Sequence, residues 1–402
     1  MADPGAITSL VLAARRGSGG DGGALGGLLI VLAVVFVIGF SIWFLVRNHR
    51  RRKLVHTAAT EAALDEPYLE PERVEQEAAE LFVAVQEAWD ARDQARLAEL
   101  LGADLMAEWS RRLAEYERQG LHSRLTSIGT ARGEMVGLVN REGGGQDRVT
   151  VHIVCSLRPF FLNQAGKKIL PPEAGKLGIK MANEYWTLAR RDDRWICVTI
   201  EGRQEGEHRM KADVVATPEA DTGGIRDEAV VELAGADAAE GFTTADLAAV
   251  DFEGSAREEA LDLSLADGRF APDVLEVAAR RVVAAWAEAV DGDDAELARL
   301  ATAEALQPLL HGDDTSEKTR RVVRGPQVRR IGVTGLDART APAQIHLEVE
   351  VKATRFVEDR DTGAVVSGTK ALREKFTEHW TMALEGPAES PWRLVAAGPP
   401  NP

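Results

Sequence analysis

The chain has 402 residues, 45% of them hydrophobic, and a formal net charge of −16 at pH 7. This length suits two or three domains, and the excess of acidic residues argues against general binding of DNA or RNA, which requires a basic surface. Arginine outnumbers lysine by 38 to 10, which is typical of a high-GC bacterial genome.

The N-terminal region is dominated by an uncharged apolar segment. After a short Gly-rich tail, residues 1–24, the segment 25–46 reads LGGLLIVLAVVFVIGFSIWFLV. An apolar run of this length is enough for a helix that spans the hydrocarbon core of a bilayer, so we expect a single transmembrane helix here. A cleaved signal peptide is the alternative, but its apolar region is shorter and its charges precede that region.

A basic cluster follows the apolar segment directly. It consists of Arg47, Arg50, Arg51, Arg52 and Lys53. By the positive-inside rule this cluster places the N-terminus outside and the rest of the chain in the cytoplasm, so we expect a single-pass protein of the inner membrane. The same cations favour contact with anionic lipid, since each is worth about 1 kcal/mol near such a surface.

A first α+β domain is predicted for residues 72–204, after a basic segment and linker over residues 47–71. Apolar residues recur at intervals of three and four in PERVEQEAAELFVAVQEAW, which predicts an amphipathic helix that begins near Pro71. Two shorter helices follow. After Gly120 the period changes to two in VTVHIVCSL, and EYWTLARRDDRWICVTI gives two strands joined at RRDD. Helices followed by an antiparallel sheet make an α+β fold.

An acidic segment, residues 205–268, separates this domain from a second one. Between Glu205 and Asp267 there are 17 acidic residues against 4 basic ones. Such a composition favours a flexible linker with one or two short helices. The earlier order of elements then returns over residues 269–398, with two helices, the period-two strand QIHLEVEV, a turn at DTG and a closing hairpin.

Matching positions indicate an internal duplication. The dipeptide Ala-Trp at residues 88–89 returns at residues 285–286, 197 residues later. The core strand matches at a spacing of 196, and the phrase Glu-x-Trp-Thr at residues 184–187 returns at residues 378–381, a spacing of 194. The three pairs of matching positions occur in the same order, and their spacing changes only from 197 to 194 residues. This indicates two copies of one domain.

The first domain resembles the Tim44-like domain. The resemblance is carried by VQEAWDARDQARLAELL, DLMAEW, RVTVHIVCSLR and EYWTLARRDDRW, and in the second half by AAWAEAVDGDDAELARL, DTGAVVSG and FTEHWTM. The family is named after a subunit of the mitochondrial inner-membrane protein translocase and has the cystatin-like fold of nuclear transport factor 2. The resemblance therefore implies that each of the two domains is a cone with helices packed on a curved antiparallel sheet. The expected fold class is thus α+β, with the single N-terminal transmembrane helix followed by two such cone domains.

The resemblance also implies a function without catalysis. We expect a membrane-anchored adaptor or scaffold at the cytoplasmic face that binds proteins, for the transport or assembly of membrane proteins, or binds lipid. Two linked modules suit this role because they raise the effective concentration at a bivalent partner. One alternative is a module that binds lipid or a small molecule in the cone pocket, and another is an isomerase or hydrolase in that pocket. We expect no cofactor, no metal and no nucleic acid.

The repeated phrase supplies the candidate pocket residues. By strand alternation Glu184 shares a face with Trp186, and Glu378 shares a face with Trp380, so these four residues are candidates for lining the two pockets. Rim carboxylates and core tryptophans are the alternative interpretation. Because no second acid, histidine or tyrosine repeats in register to form an acid–base pair, we expect no catalytic residue.

The two cysteines, Cys155 and Cys197, each lie in an apolar stretch of a predicted strand. We expect two buried free thiols, and neither cysteine has the spacing of a metal site. A disulfide is the alternative.

Overall fold

The structure is a computed structural model that describes residues 46–47, 49–140, 147–212, 214–217, 250–290, 294–312, 314–388 and 390–398. The chain divides into two units, Met1–Thr57 and Ala58–Pro402. The described residues of the first unit, 46–47 and 49–57, are helical. The second unit contains two α+β parts, which we name the first lobe (residues 58–217) and the second lobe (residues 250–398).

The predicted fold class is wrong in its transmembrane part. Among the described residues, no helix is both long and apolar enough to cross a membrane. The longest helix of the first lobe, Pro71–Ala91, is amphipathic, and its charged face lowers its mean hydropathy. The predicted segment 25–46 lies outside the described residues, apart from Val46. What the described chain has instead is a mixed α/β architecture with two antiparallel sheets, one in each lobe.

Three helices precede the sheet of the first lobe. They are α1 (Pro71–Ala91), α2 (Gln94–Leu100) and α3 (Ala103–Arg118). Helix α1 begins with Pro71, at a position where a missing N–H costs nothing, and ends at Arg92, whose φ of 55° is left-handed. Helix α2 is capped by Asp93, whose side chain accepts a hydrogen bond from the backbone N–H of Arg96 at 2.9 Å. The predicted start of α1 near Pro71 is confirmed, because the helix begins at that residue.

The first sheet is organised around one long strand. Its strands are β1 (Leu121–Ile128), β2 (Arg132–Val139), β3 (Arg148–Asn163), β4 (Lys168–Ile169), β5 (Lys180–Arg191) and β6 (Arg194–Gly202). Strand β3 pairs with β1 through its C-terminal half and with β2 through its N-terminal half. Strand β5 pairs with the other edge of β3, and β6 pairs with β5. The apolar residues predicted to face inward on β3 are all buried: Val149, Val151, Ile153, Cys155 and Leu157.

The second lobe also has helices followed by an antiparallel sheet, but a short strand and an additional helix precede them. Its elements are β7 (Val250–Phe252), α4 (Ala256–Ser264), α5 (Pro272–Ala289), α6 (Ala295–Leu300), α7 (Ala303–His311), β8 (Thr319–Asp337), β9 (Gln344–Asp359), β10 (Val365–Leu384) and β11 (Trp392–Ala397). The strand order is β11-β10-β9-β8-β7, antiparallel except between β7 and β8. Strands β9 and β10 meet at the predicted DTG turn, where Asp359 accepts from the N–H of Thr362 at 2.8 Å and Gly363 has a φ of 71°.

Both ends of the predicted linker carry regular structure. A short 3-10 helix, Glu205–Lys211, follows β6, and residue 215 forms a bridge with the end of β2. At the other end, β7 pairs with β8, and Asp251 and Glu253 each contact Arg330 at 2.7 Å. These two carboxylates are thus matched by one arginine that lies 79 and 77 positions away from them in the sequence. Residues 218–249 lie outside the described residues.

The repeated phrase occupies equivalent places in the two sheets. Trp186 of β5 lies opposite Val151 of β3, and Trp380 of β10 lies opposite Leu347 of β9. Both tryptophans are almost completely buried. The phrase therefore marks, in each sheet, the strand next to an edge strand, β6 or β11, and its tryptophan packs against a helix.

Candidate functional site

A cavity of about 530 Å³ lies between the helices and the sheet of the first lobe. Much of its wall is aromatic. Trp89 of α1 meets Trp109 of α3 edge to face, with ring centroids 4.7 Å apart, and Tyr116 of α3 meets Phe161 of β3 at 5.2 Å. Such pairs are worth about 1 kcal/mol each beyond the area they bury, so they hold the wall in shape. This size is that of a small-molecule site, and charged side chains line the cavity beside the aromatic ones.

The two residues predicted for this pocket, Glu184 and Trp186, both line the cavity. The indole N–H of Trp186 donates to Oε2 of Glu184 at 3.0 Å, and its ring packs against Phe82 of α1 with centroids 5.2 Å apart. The carboxylate is therefore oriented by its own neighbour on the strand. The tryptophan satisfies its one polar atom at the cavity surface while the rest of its ring belongs to the core.

The equivalent pair in the second lobe is arranged differently. Glu378 is buried and accepts a hydrogen bond from Arg321 of β8 at 2.6 Å, at the edge of a separate cavity of about 660 Å³. Trp380 does not line that cavity; it packs edge to face on Trp286 of α5 at 5.5 Å. The two glutamates occupy equivalent strand positions, but one is bound by an indole and the other by a guanidinium.

The chemistry available at the first cavity is limited by what its other acidic residues contact. Glu108 is paired with Arg360 at 2.6 Å, and Glu205 is paired with Lys370 at 2.9 Å. Neither histidine nor cysteine is among the described residues that line this cavity. In the part of the chain that the structure describes, no three His, Cys, Asp or Glu side chains come together as a metal site. The carboxylates of Glu108 and Glu205 are thus engaged in ion pairs at this cavity.

The second lobe forms part of the rim of this cavity. The β9–β10 turn, residues 360–364, lies against α3 of the first lobe, where Arg360 contacts Glu108 and Asp361 contacts Arg111 at 3.0 Å. Thr362 and Gly363 of the same turn line the cavity. We name this contact the turn–α3 contact. It means that a segment of one lobe is held at the mouth of the pocket of the other.

A buried carboxylate that the sequence did not point to also contacts the second lobe. Glu201 of β6 has no exposed surface and is bound by His208 and Arg209 at 2.6 Å each, with Arg324 of the second lobe at 3.8 Å. Burial alone raises the pKa of Glu201, but Arg209, His208 and Arg324 outweigh it and hold that pKa well below its usual range. The signal was the His-Arg pair in EGEHR, which lies seven and eight residues after Glu201, beyond the predicted end of the domain.

The cysteines are buried free thiols, as expected. Burial raises the pKa of Cys155 and of Cys197, and the nearby charge of Glu184 raises both further. Thiols of this kind are poor nucleophiles at neutral pH.

The basic cluster lies on the helical segment of the first unit. Of its five members, Arg50, Arg52 and Lys53 are exposed, whereas Arg51 is largely buried and Arg47 is half-buried. Three of the five cations of the cluster are therefore exposed to solvent on this helix.

Comparison with known proteins finds one family model that matches part of the chain. The crystal structure of the intermembrane space region of chloroplast protein ARC6 is similar over 31% of this chain and 94% of that chain, at 12% identity and a TM-score of 0.24. So low a TM-score carries no argument about this fold. Among curated proteins, none matches significantly. Residues 55–202 match the family model of the Tim44-like domain, so the resemblance predicted for the first domain is confirmed over the first lobe, whereas tandem copies stay a prediction.

Proposed function

We propose that this chain is a non-enzymatic adaptor that works at a membrane surface and binds other proteins through its Tim44-like first lobe. The observation that carries the proposal is the family match of residues 55–202, which contain helices α1–α3, strands β1–β6 and most of the cavity wall. The domain is named after a subunit of a membrane translocase. The exposed cations Arg50, Arg52 and Lys53 support a position at an anionic membrane surface.

The turn–α3 contact supports protein binding in particular. Its anchors are charged side chains of α3, Glu108 and Arg111, which recognise a tight polypeptide turn through the opposite charges of Arg360 and Asp361. A partner protein that presents a similar turn competes for the same place. The first lobe thus binds partners at the mouth of its cavity, and the second lobe covers that mouth when no partner is present.

Crosslinking of the full-length chain in cells, followed by capture in mild detergent, tests the proposal. We expect capture of specific proteins from the membrane fraction. The double variant Arg360→Ala/Asp361→Ala weakens the turn–α3 contact, so we expect it to capture more of the same partners. Asp337→Ala/Arg339→Ala removes a similar charge pair from the exposed β8–β9 turn and serves as the control. Capture of no specific protein by any of these forms contradicts the proposal.

A second candidate function is favoured by the cavity itself. Its volume of about 530 Å³ suits a small molecule, and its wall combines three tryptophans with charged side chains, as a lipid with a polar headgroup would need. Native mass spectrometry of the freshly purified chain distinguishes the two functions, because a bound lipid without a protein partner favours this one. Leu125→Trp fills part of the cavity and is expected to remove such a ligand, whereas Leu261→Trp on the exposed face of α4 is expected to retain it.

A further inference from the structure

The loop at residues 164–181, which we name the lysine loop, has a composition unlike the rest of the first lobe. Four of the ten lysines of the chain lie in it, and Glu173 is its one acidic residue. Four large apolar side chains in the loop are exposed: Ile169 at 40%, Leu170 at 43%, Leu177 at 80% and Met181 at 58%. Single exposed apolar residues are ordinary, but four within thirteen positions beside lysines form a distinct surface.

The lysine loop is held in a defined conformation. Pro171 and Ala174 are buried, and the carbonyl of Ala174 accepts from the N–H of Ile179 at 2.9 Å. At its start, Oδ1 of Asn163 accepts from the backbone N–H of Lys167 at 2.8 Å. Leu170 packs close to Gly178, since a Cβ atom at that glycine would lie 3.3 Å from Cδ2 of the leucine. The loop is therefore ordered, and it holds the exposed leucines on its surface.

The charges decide which partner fits this surface. The chain as a whole carries −16, so an anionic surface repels it unless cations are concentrated locally. Lys167 and Lys176 are exposed, while Lys168 places its ammonium over the ring of Phe160 at 4.1 Å. Apolar side chains that protrude between lysines can enter the headgroup region of a bilayer while the ammonium groups stay at the phosphates.

We propose that the lysine loop docks the first lobe on an anionic lipid bilayer, with Leu170 and Leu177 inserted and Lys167 and Lys176 at the headgroups. The proposal rests on the membrane-surface location proposed above, but not on any protein partner. It concerns a surface separate from the turn–α3 contact, whose ion pairs join Glu108 and Arg111 of α3 to residues 360 and 361.

A fluorophore placed in the loop tests the proposal at the site itself. Leu177→Cys is labelled with an environment-sensitive probe in the full chain, which is feasible because the native thiols Cys155 and Cys197 are buried. Leu265→Cys on the second lobe, at a position with 89% exposure, is the matched control. With vesicles of equal parts phosphatidylglycerol and phosphatidylcholine, we expect a blue shift for the probe at 177 and none at 265. Phosphatidylcholine alone is expected to give no shift.

Charge reversal tests the role of the lysines. Each cation near an anionic surface contributes about fivefold to binding, so Lys167→Glu/Lys176→Glu is expected to weaken the vesicle-induced shift at least tenfold in lipid concentration. Lys318→Glu/Lys375→Glu makes the same charge change at exposed positions of the second lobe and is expected to leave the shift in place.

Two results would overturn this assignment. One is a probe at residue 177 that stays as hydrated as the probe at 265 while the chain is bound to the vesicles. The other is a shift that appears with native membranes but not with protein-free vesicles of the same lipids, because that result assigns the loop to a protein partner. Either result leaves the crosslinking test of the proposed adaptor function unaffected.

Discussion

The glutamate that precedes each repeated tryptophan binds a different group in each lobe. Glu184 accepts from the indole of Trp186, whereas Glu378 accepts from Arg321, and within the described residues the indole nitrogen of Trp380 has no hydrogen-bond partner. Alternation along a strand predicted which face these residues share. It could not predict the partner, because the partner of Glu378 comes from a strand 57 residues away.

This difference predicts unequal effects of the same substitution. Trp186→Phe and Trp380→Phe remove a similar volume from two buried sites, but only the first also removes a hydrogen bond to a carboxylate. We expect Trp186→Phe to lower the free energy of unfolding by about 1 kcal/mol more than Trp380→Phe, given the usual worth of such a bond. Urea denaturation measures both. Equal losses would mean that the Glu184–Trp186 bond contributes nothing.

Glu201 predicts an acid-sensitive stability. Its pKa in the folded chain lies below the value of about 4.3 that it has when unfolded, so its contribution is fully present above that value and is lost as the pH falls below it. We expect wild type to lose about 2 kcal/mol more than Glu201→Gln between about pH 5 and about pH 3. At neutral pH the variant itself is expected to be less stable by about 3 kcal/mol, because buried cations lose their partner.

Urea denaturation across this pH range provides the measurement. Glu374→Gln is the control, since Glu374 pairs with Arg355 at an exposed site. Exposed pairs contribute less than about 1 kcal/mol, so we expect this control to follow wild type. Parallel pH profiles for wild type and Glu201→Gln would contradict the assignment.

At the scale of elements, the β9–β10 turn has two functions. The DTG sequence closes a hairpin, which local turn chemistry predicts. The same turn contacts α3 of the other lobe through Arg360 and Asp361, and this contact brings together residues about 250 positions apart. No local sequence pattern indicates this contact, because a charged turn has the same kind of sequence whether or not another lobe covers it.

Removing one partner of the turn–α3 contact tests its strength. Arg360→Ala leaves Glu108, which is 7% exposed, without its nearest cation, and we expect a loss of about 2 kcal/mol in the free energy of unfolding. Hydrogen exchange is expected to rise in α3 but not in α5. Arg339→Ala, at a position that is 97% exposed, is the control and is expected to cost less than about 0.5 kcal/mol. Unchanged exchange in α3 would argue against the contact.

At the scale of the whole molecule, the two lobes share charged contacts and are expected to unfold together. Both cysteines lie in the first lobe, so thiol labelling in urea reports on that lobe alone. We expect the labelling curve to coincide with the circular dichroism curve in wild type and to separate from it in Arg360→Ala/Asp361→Ala. Separate curves already in wild type would show that the contacts do not couple the lobes.

The sequence by itself determined helices α1–α3, α5 and α6, the period-two strands β3 and β9, the hairpin turns and the Tim44-like match of the first domain, because each depends on residues close together in the chain. It did not indicate strands β1, β2 and β8 or helix α7. The limits of the acidic segment and the partners of Glu201 and Glu378 depend on arginines brought in from distant strands. The tertiary structure decided these features. It also decided that the phrase Glu-x-Trp-Thr, although it marks the same strand twice, lines the cavity with both its glutamate and its tryptophan in the first lobe alone. Local periodicity fixes the face of a side chain, but only the packed fold fixes what that face meets.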